Sequence, residues 1–199
     1  MTRTALIAID LQNDFCPGGA LAVTDGDAVI APINALMAGV DAVVLTQDWH
    51  PADHLSFADN HPGAAPYSLI DMPYGPQTLW PAHCVQGSRG AEFHSGVEAS
   101  RADLILRKGF RAAIDSYSAF FENDKTTPTG LAGYLRDRGI TRLVLAGLAY
   151  DFCVAWSAVD ARRLGFECEV VEAACRAIDL NGSAAAARAA MVEAGVVLS

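Results

Sequence analysis

Positive charge is scarce in this chain of 199 residues. Lys and Arg number 14 against 23 Asp and Glu, a net charge of −9. No surplus of cations exists to neutralise a phosphate backbone, which excludes a nucleic-acid partner. Long hydrophobic runs are also lacking. The longer apolar stretches, such as Leu143 to Ala149, fall well short of the roughly 18 residues that a membrane span needs. The apolar stretch Ala5–Ile9 ends at once in Asp10, too short for the apolar core of a secretion signal. Cysteines are few and irregular: an odd count of five, scattered, is no disulfide framework. Disorder is excluded in turn by a hydrophobic fraction of 52%, enough to bury a core. The expectation is one cytoplasmic, reduced domain over residues 1–199, with no membrane partner. The sequence leaves assembly into a homo-oligomer open.

What is present alternates. Short Val/Ile/Leu-rich runs lie at Ala5–Ile9, Ala42–Thr46, Leu104–Leu106, Arg142–Ala146, Glu167–Val171 and Val196–Leu198. Their continuous apolar character is that of strands buried on both faces of a parallel sheet. Between them the pattern predicts helices over Asp27–Met37, Pro128–Arg138, Phe152–Leu164 and Ser183–Ala194. Pro32 delays the regular part of the first. Asp151 and Ser183 are candidate caps, and Gly139, Gly165 and Gly195 are stops. The fold class is α/β: an open, doubly wound, mostly parallel sheet of about six strands with helices on both faces. Residues 49–103 break the alternation. They hold all five His, two of the three Trp and six Pro before residue 82, and read as a long active-site loop region.

Three signals sit at predicted strand ends, where ligands bind in such sheets. Asp10 ends the first strand before Leu11-Gln-Asn-Asp-Phe15; it is either a turn cap or a site carboxylate. Asp48 and His50 are two apart at the end of the second, so period-two geometry aims both the same way. A carboxylate beside an imidazole suits a divalent metal. The third donor is open among His54, His61, His83 and His94. Finally, Ala146-Gly-Leu-Ala-Tyr-Asp-Phe-Cys153 runs from a strand through a turn into a helix. Cys153 falls at about the second helical position, where the free N–H groups favour thiolate and lower the thiol pKa. Asp151 opposes that effect. Lys108, after Leu104-Ile-Leu-Arg and before Gly109, is a cation able to stabilise a thiolate, with Asp10 as its base.

Taken in order and spacing, these motifs resemble the nicotinamidase/pyrazinamidase family of isochorismatase-like hydrolases over essentially the whole chain. The carriers are Asp10-Leu-Gln-Asn-Asp-Phe, Asp48-Trp-His50-Pro, Trp80-Pro-Ala-His83-Cys-Val-Gln, Lys108-Gly, Asp115-Ser-Tyr-Ser-Ala-Phe-Phe and Gly147-Leu-Ala-Tyr-Asp-Phe-Cys153-Val. The resemblance implies a catalytic triad of Asp10, Lys108 and Cys153. It implies metal ligands Asp48, His50 and His83, with His54 where some members place another. It implies a cis Leu148–Ala149 peptide and an oxyanion hole of the Ala149 and Cys153 N–H groups. Phe15, Trp80, Tyr117 and Tyr150 fall near the ring-binding pocket, Tyr150 standing where many members have Thr. The implied reaction is hydrolysis of nicotinamide to nicotinate and ammonia through a thioester on Cys153, in NAD salvage. Pyrazinamide is a further implied substrate. The cofactor is one divalent metal ion, Zn first, with Fe or Mn accepted by the same donors. The alternative is a related amidohydrolase acting on another small amide, carbamoyl or ureido compound.

Overall fold

The computed structural model describes residues 2–199. Its main sheet joins β1 (Arg3–Ile9), β2 (Ala42–Asp48), β5 (Leu104–Lys108), β6 (Ile140–Gly147), β7 (Glu167–Cys175) and β8 (Val197–Leu198). All pairings are parallel, in the order β5-β2-β1-β6-β7-β8. The central strands are dry, as their composition requires: residues 5–9 have no exposed surface, and all of β2 is buried. Edge strand β5 alternates between half-buried and exposed residues until Lys108, its one buried residue.

The chain winds leftward from β1 through β2 to β5, then jumps back across β1 to β6. The order therefore reverses around β1. Loops leaving the carboxyl ends of β1 and its two neighbours diverge there and open a crevice.

The helices form where expected, with altered ends. Residues predicted as 27–37 become a 3-10 turn (Gly26–Val29), α1 (Ile30–Leu36) and a second 3-10 turn (Met37–Gly39). Pro32 lies in the first turn of α1, where its missing N–H is harmless. Helix α2 covers Leu131–Asp137 rather than 128–138. Gly130, at φ +99°, precedes it, and Pro128 stays outside, bridged to Phe121. The third helix begins as a π-helical turn, Tyr150–Val154, before α3 (Ala155–Arg163). Helix α4 is Ser183–Glu193. Neither expected cap holds. The Ser183 hydroxyl donates to the Asp151 carboxylate at 2.5 Å, so the two join turn to helix instead of capping their own elements.

Between β2 and β5 lies the irregular region. It contains one feature unseen in the sequence, the antiparallel hairpin of β3 (Leu69–Met72) and β4 (Gly75–Thr78). Pro76 in β4 is a residue that sheets tolerate mainly on edge strands. No helix among the described residues is long and apolar enough to cross a membrane.

Candidate active site

The floor of the crevice is built by sheet register. Lys108 pairs directly with Asp48 across β5 and β2, and Ile9 pairs with Gly147 across β1 and β6. Asp10, just past β1, takes a left-handed φ of +51°. Gly147 must be glycine: a Cβ there would lie 2.2 Å from the Ile9 carbonyl oxygen. Lys108 is the hub. Its Nζ lies 2.8 Å from Asp10 Oδ2 and 2.5 Å from Asp48 Oδ1, donates to the Ser116 carbonyl at 3.0 Å, and reaches Cys153 Sγ at 3.4 Å. Thr46 Oγ1 donates to Asp10 Oδ1 at 2.6 Å. Asp10 Oδ2 touches the ammonium but has no aligned hydrogen-bond donor. A carboxylate oxygen of Asp10 lies within 4.8 Å of the Cys153 sulfur.

Burial and charge set the protonation of this cluster. Burial pushes the Asp10 carboxyl above its usual range, and the Asp48 charge adds to that against the pull of Lys108. For Asp48 burial works the same way, but Lys108 and His50 outweigh it and hold the carboxyl well below the usual range. Burial opposes the Lys108 charge too, yet the two carboxylates keep it firmly protonated. The Cys153 thiol is pushed well up, by burial first and by Asp10 and Asp48 next, with Lys108 opposing. The sequence-based expectation of a lowered thiol pKa is thus overturned. Cys153 is the fourth residue of the π turn, not the second of an α-helix, and desolvation outweighs the turn's dipole. The arrangement is a neutral thiol beside a reluctant carboxylate, suited to proton transfer during attack. The other four cysteines are also buried with raised pKa values, and none is in hydrogen-bond reach of a lysine.

The roof comes from the irregular region. His50 Nδ1 lies 2.8 Å from the Gly109 carbonyl and His83 Nδ1 2.8 Å from that of Pro81. A carbonyl only accepts, so both rings carry a proton on Nδ1 and turn Nε2 inward. Burial opposes charge on His50, but Asp48 outweighs it and raises the His50 pKa, so an ion bound there would take the place of a proton. The two Nε2 atoms face Asp48 Oδ2 at 3.5 and 3.8 Å. Two ring nitrogens and a carboxylate oxygen converging in a buried space attract a cation, and neutral imidazoles with a carboxylate fit a divalent ion. Gly109 admits this: at φ +66°, its Cβ would strike the His50 ring at 2.4 Å.

His54 differs. The Ser56 backbone N–H donates to its Nδ1 at 3.2 Å, so in the neutral ring Nε2 holds the proton. Burial, with His50 adding to it, lowers its pKa to about 4. The ring packs 4.4 Å from that of His50 and clusters with Asp115 rather than with Asp48 and His83. His61 and His94 serve local loops, through the Leu55 carbonyl and the Gly96 N–H.

Phe15, Trp80 and Tyr117 line the space between floor and roof, together with Leu21, Phe152 and Ile178. Trp80 stands edge-on to Phe152 at 4.9 Å, and its Nε1 donates to the Tyr117 hydroxyl at 3.1 Å. The free volume is about 20 Å³, room for about one water. A larger groove of about 430 Å³ between α3 and α4 shares Phe152. Its two buried carboxylates already have partners: Asp160 faces Lys125 and Arg163, and Asp151 accepts from Ile178, Asp179 and Ser183. Tyr150 does not line that space: its hydroxyl donates outward to Glu172 at 2.6 Å. The expectation of Tyr150 as a ring contact is corrected accordingly.

The cis Leu148–Ala149 peptide is present. The Ala149 carbonyl accepts from the N–H groups of Phe152 and Val154. Its own N–H meets no backbone acceptor among the described residues, and Ala149 borders the cavity beside Cys153.

Sequence reasoning missed the supporting polar residues. Gln12 accepts from the Asp48 N–H and donates to the Asp48 carbonyl, both at 2.8 Å. Asp14 Oδ2 accepts from the Cys84 N–H at 2.7 Å, fixing the turn after His83. Gln77 donates to Asp115 Oδ2 and the Tyr117 hydroxyl. Gln12 and Asp14 lay inside a quoted motif without a role; nothing in the sequence marked Gln77.

Comparison with known proteins accords with this geometry. The isochorismatase domain profile matches residues 4–199. A nicotinamidase of Acinetobacter baylyi is 54% identical over 96% of this chain and 90% of its own length. The solved nicotinamidase–pyrazinamidase of Acinetobacter baumanii superposes with a TM-score of 0.98 at 54% identity, covering 100% of this chain and 96% of that one. A pyrazinamidase of Pyrococcus horikoshii, solved in complex with zinc, has a TM-score of 0.79 and 32% identity, covering 99% and 98%.

Proposed function

This chain belongs to the isochorismatase family, and we propose that within it the protein acts as a nicotinamidase, hydrolysing nicotinamide to nicotinate and ammonia in NAD salvage. Pyrazinamide, of the same shape, is a second substrate. The observation that carries the reading is the position of Lys108, whose ammonium contacts Asp10, Asp48 and Cys153 at once. It joins a nucleophile and base to a set of metal donors in one buried space.

Cys153 is the nucleophile and Asp10 the base. As Sγ bonds to the amide carbon, its proton passes to the Asp10 carboxylate and the carbonyl electrons move to oxygen. The N–H groups of Ala149 and Cys153 receive that oxyanion. Asp10 returns the proton to the amide nitrogen, the C–N bond breaks, and ammonia leaves a thioester. Asp10 then takes a proton from water as the water oxygen attacks the thioester. Collapse frees nicotinate, and Asp10 reprotonates the sulfur. Lys108 stays charged throughout and stabilises each anionic neighbour.

Asp48, His50 and His83 would hold a divalent ion; the Pyrococcus relative was solved with zinc. When bound, such an ion would supply a Lewis acid for orienting the ring. His54, with its proton on Nε2, stays outside this set. Phe15, Trp80 and Tyr117 sandwich the ring, whose entry requires the aromatic walls to part. Five unpaired buried cysteines support a reducing cytoplasmic setting.

Ammonia release from nicotinamide, pyrazinamide and a panel of carbamoyl and ureido compounds, with and without chelator and added metal, tests the reading. Release from the two pyridine-type amides that chelation stops and metal restores is expected. No release with metal restored, or preference for a ureido compound, would overturn it.

A further inference from the structure

We infer that Tyr150 is a positioning residue for oxyanion binding, acting through a Tyr150–Glu172–Arg188 clamp on the turn that carries Ala149 and Cys153. The inference rests on the reaction proposed above and adds a residue to it.

Tyr150 directly follows Ala149 and opens the π turn. Its backbone N–H donates to the Arg176 carbonyl at 2.8 Å. Its hydroxyl donates to Glu172 Oε1 on β7 at 2.6 Å, and Arg188 Nε on α4 donates to the same oxygen at 3.2 Å. Burial, reinforced by Glu172, pushes the phenol pKa up, so it remains a donor at any working pH. A short bond to a carboxylate is of the stronger, charge-assisted kind.

The next residue anchors the same turn to the same wall. Asp151 accepts from the N–H groups of Ile178 at 3.0 Å and Asp179 at 2.8 Å, as well as from Ser183 Oγ. Two successive side chains therefore point away from the cavity and grip residues 172–183. The Ala149 carbonyl is held from the other side by Phe152 and Val154. What remains is the Ala149 N–H, aimed by anchors on both flanks. Asp151 is needed for the 178–183 segment itself. The phenol tether spans from this turn to β7 and holds nothing else, so removing it loosens the turn alone. An oxyanion donor acts only once charge develops, so loosening it lowers kcat rather than substrate affinity.

The test compares wild type, Tyr150→Phe, Glu172→Ala and the double variant, all metal-loaded and checked for metal content and melting temperature. Each is measured for nicotinamide turnover and for binding of nicotinate and nicotinaldehyde. The aldehyde adds to the Cys153 sulfur: the C–S bond forms, the carbonyl electrons move to oxygen, and the thiol proton goes to Asp10. Its affinity therefore reads the oxyanion donors, whereas nicotinate reads the ring pocket. Tyr150→Phe should lower kcat about tenfold with KM within about twofold, weaken the aldehyde in parallel, and leave nicotinate unchanged. The double variant should be no slower than the slower single one. Unchanged kcat in Tyr150→Phe, or equal weakening of aldehyde and nicotinate, would overturn the clamp. A wild type that releases no ammonia would instead indict the reaction, and the aldehyde arm would still read the clamp.

Discussion

Floor and roof of the site are held in different ways. The floor, Asp10, Asp48 and Lys108, stands on adjacent parallel strands whose register alone puts the three side chains together. The roof, His50 and His83, stands on irregular chain joined by one short bridge, the His50 N–H to the Cys84 carbonyl and the Gln86 N–H to the His50 carbonyl. Side-chain bonds from Gln86 to the Trp49 carbonyl and from the Cys84 N–H to Asp14 add to it. Strand register is shared among many bonds; a loop held by one bridge and a few side chains shares fewer. In the proposed reaction, charge and proton transfer fall to the part fixed by strand register, and metal and ring recognition to the part held by loops.

The sharpest break in the comparison is at the nucleophile. Cys153→Ala should reduce turnover below detection, more than about 10⁴-fold, with metal content by elemental analysis unchanged. Retained activity would refute the assignment.

Lys108→Met comes next. It leaves Asp10 and Asp48 buried without a cation, and should destabilise the fold by about 3–5 kcal/mol in urea titration. The sign with pH follows. Burial already raises the Asp10 carboxyl, and without the ammonium nothing pulls it back, so the variant regains stability as pH falls and loses it as pH rises through the folded Asp10 value. A variant equally stable at all pH would show that the hub carries no charge balance.

The roof should respond differently. His83→Ala should lose the metal, lower activity and leave chemical stability within about 1 kcal/mol, because the residue supports no strand pairing. Loss of stability comparable to that of Lys108→Met would erase the distinction.

A smaller effect comes from pH in the wild type. Asp10 must be ionised to act as base, and burial raises its pKa, so the acid limb of kcat/KM should lie above the usual carboxylate range. The raised thiol places any thiol-linked alkaline limb above the usual thiol range. The smallest effect is expected for Asp14→Ala. It frees the Cys84 N–H and should cost about 1–2 kcal/mol, with KM rising more than kcat falls.

The sequence made the floor legible for a physical reason. Strands buried on both faces are continuous runs of Val, Ile and Leu, so Asp10 and Lys108 stood out as polar residues ending apolar segments. All six strands of the main sheet were readable in this way. The hairpin of β3 and β4 was not, because it packs over the site with Pro76 and Gly75 in one strand and little β-branched character. The turn at Cys153 was found, but its π geometry and the sign of its thiol shift depend on burial, which no local pattern encodes. His54 and Tyr150 show the same limit. Each is close in sequence to residues of the proposed site, and hydrogen-bond partners that no local pattern encodes, Ser56 for one and Glu172 for the other, set how each side chain is turned.

The central claim is that one thiol, Cys153, attacks the amide carbon with Asp10 as its proton partner. Rapid acid quench of the metal-loaded enzyme during nicotinamide turnover, followed by peptide mass spectrometry, tests it most directly. A nicotinoyl thioester on Cys153 alone, absent from Cys153→Ala, is expected. Steady ammonia release with no acyl adduct on any cysteine, or an adduct on Cys84, would contradict it.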